Sequence, residues 1–106
     1  MTKEQQRIGR YVRMEARPGH RDALAATLLR FANRLREDPG CELYVINTAE
    51  GDPDAVWITE VWTDKASSDR ALGGPLGQAD VHEVVELLAG PPDLVELRPL
   101  GGTGLT

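Results

Sequence analysis

The sequence has little cysteine, few aromatic residues and no long apolar run. Cys41 is the single cysteine among 106 residues, so no internal disulfide can form, as is usual in a reducing compartment. No run of 18 apolar residues is present, which argues against a membrane-spanning helix. The opening residues "MTKEQQRIGR" also lack the apolar stretch of a signal peptide. We therefore predict a cytoplasmic protein that has no membrane partner.

Residue types that bind metals or phosphate are scarce as well. Two histidines and one cysteine, widely separated, do not make a zinc set. "DPD" at 52–54 lacks the further ligands of a calcium loop, and "GGTG" at 101–104 lacks the lysine and helix of a phosphate loop. The sequence thus predicts no metal site and no cofactor.

The charges are unevenly distributed along the chain. Residues 1–36 hold nine basic and three acidic side chains, whereas residues 37–106 hold three basic and fourteen acidic ones. A basic surface for nucleic acid is one interpretation. We favour the other, in which the two halves intermingle in one fold and the early arginines face later acids. Aromatic interleaving of the kind that stacks on bases is also absent, so we expect no nucleic-acid partner.

The length predicts a single domain over residues 1–106, with 1–7 and 101–106 as flexible tails. Alternating and helical apolar patterns then define its elements. The predicted elements are a strand at 8–17, a helix from His20 to about residue 37, strands at 41–49 and 55–62, a short helix capped by Thr63 or Asp64, a helix at about 78–89 and a strand at 93–100.

This order favours a ferredoxin-like α+β fold, β-α-β-β-α-β, with helices on one face of a four-stranded antiparallel sheet. Both faces of the sheet are apolar, because Leu43 and Val45 lie on one side of the second strand and Tyr44 and Ile46 on the other. Such a short chain also has a thin core. We therefore predict a homodimer in which the uncovered sheet faces pack together, with Trp57 at the interface.

Five motifs in this order resemble the antibiotic biosynthesis monooxygenase (ABM) family of dimeric α+β barrels. They are Pro18-Gly19, "DPGCELY" at 38–44, Asp52-Pro53, "EVWTD" at 60–64 and "LLAGPPDLVELRPL" at 87–100. The resemblance covers residues 8–100. It implies a dimer, a pocket between sheet and helices in each subunit, and cofactor-independent oxygenation of a phenol, quinol or aromatic polyketide. A non-catalytic protein that binds a small aromatic molecule, and an isomerase or cyclase using the same pocket, are the alternatives.

The chain departs from this family at one position. Members commonly carry a histidine about nine residues after the tryptophan of the third strand, where this chain has Ala71. Heme-degrading relatives also use an asparagine on the first strand, which is missing here, so we do not expect heme. The Ala71 departure favours the non-catalytic alternative.

Glu60 and His82 are the candidate catalytic bases. Glu60 lies two residues from Trp62, on a strand face that Val56 and Ile58 predict to be covered. The alternative for Glu60 is an ion pair with Arg13 or another arginine of the first strand. His82 lies one turn before Glu86, either as a carboxylate-oriented base at the pocket rim or in a surface contact.

Four further residues are the predicted substrate-binding set: Trp62, Tyr11, Tyr44 and Arg13. Trp62 is expected as a pocket wall, although a plain core tryptophan has the same pattern. Tyr11 and Tyr44 are candidate donors to a phenolate, or else residues of the dimer interface. Cys41 has no histidine partner, and we expect it to be structural.

Overall fold

A computed structural model describes residues 6–105 of the chain. In this range the elements are β1 (Ile8–Glu15), α1 (Arg21–Arg34) followed by a 3-10 turn (Leu35–Glu37), β2 (Cys41–Ala49), β3 (Asp52–Trp62), α2 (Lys65–Gly73), α3 (Pro75–Leu87) and β4 (Asp93–Leu97). The four strands form one antiparallel sheet in the order β2-β3-β1-β4. The predicted α+β ferredoxin-like fold is confirmed.

The core lies between one face of the sheet and the helices. Even-numbered residues of β1 and β3 point to this side, where Val12, Val56 and Ile58 pack against Leu24 and Leu28 of α1. In a second cluster, Trp62 packs with Phe31 of α1 and with Leu35 of the 3-10 turn that follows it. The covered face that the sequence predicts for β3 is therefore the helix side.

Several element boundaries differ from the prediction. β1 ends at Glu15 and β4 at Leu97, whereas strands at 8–17 and 93–100 were predicted. β3 begins at Asp52, so part of the expected loop at 50–54 pairs with β2 through Ala49. α3 begins at Pro75 and ends at Leu87, whereas a helix at about 78–89 was predicted. Proline fits the first turn of a helix, where its missing N–H is not needed, so "GGPLG" starts α3 as well as ending α2.

Local interactions fix the junctions around α2. Asp64 is the N-cap, and its side chain accepts a hydrogen bond of 2.8 Å from the backbone N–H of Ser67. At the other end, α3 starts against the last turn of α2. A Cβ on Gly77 would lie 2.1 Å from the carbonyl oxygen of Ala71, so this close approach requires glycine.

The structure describes only part of the two predicted tails. Residues 1–5 and 106 lie outside the described residues. Arg7, inside the predicted N-terminal tail, is buried, and its Nε donates to Glu42 at 2.9 Å. None of the helices in residues 6–105 is long and apolar enough to cross a bilayer.

Candidate active site

A row of polar side chains crosses the centre of the sheet on its helix side. Glu60 of β3 is paired in register with Arg10 of β1 and with Tyr44 of β2. Arg10 Nη1 donates to Glu60 Oε1 at 2.8 Å, and Glu60 is only 6% exposed. The sequence had left open a base or an ion pair for Glu60, and the structure shows an ion pair with a strand-one arginine.

Two more side chains hold this pair in place. The indole Nε1 of Trp62, which is fully buried, donates to the same Glu60 oxygen at 2.9 Å. Arg10 Nη1 also donates to the hydroxyl of Ser68 at 2.7 Å. A buried charge pair is costly unless its polar atoms are hydrogen-bonded, and here Arg10 and Glu60 both have several partners. Trp62 is thus a residue that orients Glu60.

An apolar cavity of about 170 Å³ lies beside this row, between the sheet and α1 and α3. It is lined by Met14, Leu28, Phe31, Tyr44, Leu72, Asp80, Val81, Val84, Val85, Leu88 and Pro92.

A second, larger groove of about 800 Å³ runs along the outer side of β2. It is lined partly by exposed side chains such as Leu29, Arg36 and Leu43. Tyr44 lines both pockets, and Glu60 lines neither. We place the candidate site in the smaller cavity because its lining is almost wholly apolar and lies between the sheet and the helices.

Tyr44 connects the cavity to the Glu60–Arg10 pair. Its ring packs edge-on against Phe31 at 5.4 Å and against Trp62 at 6.5 Å between centroids. Burial, and after it the negative charge of Glu60, raises the pKa of Tyr44 above its ordinary value. The hydroxyl therefore stays protonated at neutral pH, and it makes no hydrogen bond to any residue from 6 to 105. It can donate to an oxyanion in the cavity.

Asp80 is the charged residue of the cavity lining. Its carboxylate forms an ion pair with Arg34 of α1, and its side chain is 15% exposed. Apart from this pair, Asp80 makes no hydrogen bond within the described part of the chain. The sequence analysis did not single out Asp80, although the i, i+4 spacing to buried Val84 places both residues on the inner face of α3.

Two of the predicted substrate-binding residues lie on the opposite face of the sheet. Tyr11 stacks on Trp57 at 5.4 Å, and Arg13 lies over the same indole at 5.8 Å. Arg13 also binds both carboxylate oxygens of Asp52, at 2.8 and 2.9 Å, an interaction that lowers the pKa of Asp52. Because the sheet separates Tyr11 and Arg13 from the cavity, the structure does not bring them together with Glu60.

His82 lies on the exposed surface of α3. Its side chain is 78% exposed, with Nε2 lying 3.1 Å from Glu86 Oε1. It is not itself among the cavity-lining residues, although the adjacent Val81 is, so its role as a base at the pocket rim stays a prediction. The surface contact with Glu86, which was the alternative, is the one observed.

Ala71 and Cys41 both pack around the Trp62 cluster. Ala71 thus fills the position next to Trp62 with a methyl group, where the family often has a histidine. Burial, with the nearby Asp38 and Glu60 carboxylates, raises the pKa of the Cys41 thiol to about 11. A thiol of this kind is a poor nucleophile, consistent with a structural role.

The fold and cavity define a ferredoxin-like domain with an apolar cavity between its sheet and its helices. The sequence profile of one family, described as antibiotic biosynthesis monooxygenase, matches residues 7–81. The chain belongs to this family, whose members are generally dimeric. A comparison with curated proteins gave no significant match.

Solved structures agree with this assignment. A protein from Chloroflexus aurantiacus J-10-fl, provisionally assigned as an antibiotic biosynthesis monooxygenase, is 38% identical, with 95% of this chain and 100% of that chain covered and a TM-score of 0.84. Rv0793 from Mycobacterium tuberculosis is 24% identical over 92% of this chain and 99% of its own, with a TM-score of 0.82. The second likeness supports the fold alone.

Proposed function

We propose that this protein is a cofactor-independent monooxygenase that oxidises a small phenol or quinol in the helix-side cavity. One observation carries the proposal: Tyr44, a protonated donor in the cavity wall, is the strand neighbour of the buried Glu60–Arg10 pair. The site thus has an apolar cavity and an oxyanion donor in its wall, and the strand next to that donor carries a buried carboxylate. Family membership supports the reaction class.

The reaction requires the protein to transfer protons and to stabilise negative charge. The substrate hydroxyl loses a proton, and the electron-rich phenolate ring gives one electron to O2. The resulting radical and superoxide combine into a C–O bond, and the peroxide formed takes up the proton. Loss of water, with the ring C–H proton, then leaves a quinone. One oxygen atom of O2 stays on the ring and the other leaves as water.

In this proposal Glu60 is the base and Tyr44 is the hydrogen-bond donor. Glu60 takes the substrate proton and later returns it to the peroxide. Tyr44 donates a hydrogen bond to the phenolate oxygen. When Glu60 is protonated, Arg10 keeps its positive charge beside the site. That charge stabilises the phenolate and the superoxide. Trp62 orients Glu60 through its indole N–H.

Oxygen uptake by the purified protein, treated with a chelator, tests this function. The substrates are 4-methylphenol, 1,4-dihydroxybenzene, 1-naphthol and anthrone. We expect uptake with at least one of them and a fall of about 100-fold or more in Glu60→Gln, because general acid–base catalysis contributes about 10²- to 10⁴-fold. Glu86→Gln is the matched control, since Glu86 is exposed and remote from the cavity.

Two results would overturn the proposal. One is a Glu60→Gln variant that folds and retains the wild-type rate. The other is a loss of turnover in His82→Ala while Glu60→Gln stays active, which would place the base on the helix surface.

The second candidate function is binding of a small aromatic molecule without turnover. It is favoured by Ala71, which places a methyl group beside Trp62 where the family often has a base. Ligands that bind the wild-type protein without any oxygen uptake, across the whole panel, would support it. A change in the ligand's ring skeleton without oxygen uptake would instead indicate an isomerase or cyclase.

We also propose that the protein is a homodimer through the open face of the sheet. This face carries apolar and aromatic side chains that helices do not cover in the single chain: Tyr11, Leu43, Val45, Val95 and Leu97, each at least 39% exposed. An apolar patch of this kind is typical of an interface between subunits. Members of the family are generally dimeric, which supports the same arrangement.

A further inference from the structure

Ser68 is a buried hydroxyl residue that has no part in the mechanism proposed above. It lies near the start of α2, just after the Asp64 cap, and its relative exposure is 0%. Its side-chain oxygen accepts a hydrogen bond of 2.7 Å from Arg10 Nη1. Arg10 is thus held from the helix layer by Ser68 and from the sheet by Glu60.

The contacts of Glu60 fall on only one of its two carboxylate oxygens. Arg10 Nη1 and Trp62 Nε1 both donate to Oε1, at 2.8 and 2.9 Å. No group in residues 6–105 donates a hydrogen bond to Oε2, and this oxygen is not fully shielded from solvent. An ionised carboxylate oxygen without a donor has its lone pairs available. Oε2 is therefore the oxygen of Glu60 that is free to accept a proton.

The hydrogen bonds of Arg10 account for this one-sided contact. An arginine and a carboxylate frequently pair through two parallel hydrogen bonds, one to each oxygen. Nη1 carries two hydrogens, and here its two acceptors are Glu60 and Ser68. Nη2 and Nε make no hydrogen bond to the described part of the chain. The guanidinium thus meets the carboxylate through one nitrogen instead of two.

We propose that Ser68 is a positioning residue that keeps Glu60 Oε2 free to act as the base. Without the hydroxyl, Arg10 Nη1 loses an acceptor in a buried place, which is unfavourable for a charged donor. The arginine replaces the lost bond by pairing with Oε2 as well, and Oε2 is then occupied when the substrate arrives. This inference rests on the proposed function for the role of Glu60, and it names the oxygen that takes the proton.

Crystal structures of the wild-type protein and of Ser68→Ala test the positioning without turnover. In the wild type we expect one hydrogen bond between Arg10 and Glu60, with no N–H donor within about 3.2 Å of Oε2. In Ser68→Ala we expect a second hydrogen bond from Arg10 to Oε2, at about 2.7–2.9 Å. Ser67→Ala is the matched control, because Ser67 is also a buried serine of α2 but accepts from Arg70. It should leave the pair unchanged.

Oxygen uptake with a phenol that the wild-type protein oxidises measures the catalytic consequence. In Ser68→Ala, kcat should fall about 10- to 100-fold, the effect of one hydrogen bond to a charged group that must break before the proton is taken. KM should change little, because Ser68 does not line the cavity. Ser67→Ala should keep the wild-type kcat and KM.

The outcomes separate this inference from the function on which it rests. A wild-type structure in which Arg10 binds both oxygens of Glu60, or a Ser68→Ala structure in which Oε2 stays free, overturns the positioning role. Two hydrogen bonds between the pair in Ser68→Ala, with an unchanged kcat, overturn Oε2 as the reacting oxygen. A wild-type protein that takes up no oxygen with any phenol overturns the monooxygenase, and the structures still decide whether Ser68 positions Arg10.

Discussion

Arg10 and Glu60 face each other across neighbouring strands with little access to water. Their side chains are 12% and 7% exposed. Removing one member of a buried pair leaves the charge of the other without a partner and lowers the free energy of unfolding by about 3–5 kcal/mol. Replacing both members with apolar residues often leaves that free energy nearly unchanged. The net contribution of the pair to stability is therefore smaller than the loss measured when only one of the two residues is replaced.

A pair of substitutions at Arg10 tests this view of the site. Arg10→Met should lower the free energy of unfolding by about 3–5 kcal/mol, because Glu60 is left buried without its cation. Adding Glu60→Leu to the same chain should recover most of that loss. Urea unfolding measures both variants. Arg21→Met is the control, because Arg21 pairs with the highly exposed Asp22, and pairs of this kind contribute about 0–1 kcal/mol.

A loss in Arg10→Met no larger than that in Arg21→Met would contradict the burial of this pair. If the double substitution changed the free energy of unfolding by the sum of the two single effects, the two side chains would not interact.

At the scale of residues, the sequence predicted which side chains are buried better than it predicted their partners. Alternation in "AVWITEVW" placed Glu60 and Trp62 on the covered face, as observed. The same alternation excludes Arg13, which shares a face with Tyr11, and leaves Arg10 as the partner. Asp80 was missed because its contact with Arg34 joins two helices that are distant in sequence, and helical periodicity alone does not place them together.

At the scale of elements, apolar periodicity predicted the existence and order of every helix and strand from 8 to 97. β2 was predicted within its observed bounds, Cys41–Ala49. β1, α3 and β4 end two or three residues earlier than predicted, and the starts of two elements differ because turn-forming residues belong to regular structure. Pro75 opens α3, and Asp52-Pro53 opens β3, because proline is tolerated at a helix start and at a strand start. The start of β3 is decided by its pairing with the neighbouring strand, and the residue pattern of one strand does not predict that pairing.

The open face of the sheet leads to a prediction about assembly. In a twofold dimer each subunit contributes the same patch, so one substitution places a charge on both sides of the interface. Val95 on β4 is 57% exposed on this face, next to Tyr11 in register. We expect the wild-type protein to sediment as a dimer and Val95→Lys to sediment as a monomer in analytical ultracentrifugation.

Leu76→Lys is the matched control for this experiment. Leu76 is an equally apolar residue on α3, 67% exposed and remote from the sheet face, so its substitution should leave the dimer unchanged. A wild-type protein that is monomeric at micromolar concentration would contradict the proposed interface. A Val95→Lys variant that dimerises as well as wild type would move the interface elsewhere.

At the scale of the whole molecule, the uneven charge of the sequence is explained by the fold. Five arginines from residues 1–36 pair with acids from residues 37–106, in the pairs Arg7–Glu42, Arg10–Glu60, Arg13–Asp52, Arg30–Glu83 and Arg34–Asp80. The interpretation that the two halves intermingle is confirmed. Two of these pairs, Arg30–Glu83 and Arg34–Asp80, link α1 to α3, and Asp80 also lines the cavity.

The account as a whole depends on a ligand entering between the helices and the sheet. Nuclear Overhauser contacts between 4-methylphenol and the methyl groups of the protein, recorded under nitrogen, test this most directly. We predict contacts from the ring protons to the methyl groups of Met14, Leu28 and Val84, which line the cavity. Contacts to Val45 and Val95 on the open face of the sheet, with none to Met14 or Val84, would contradict it.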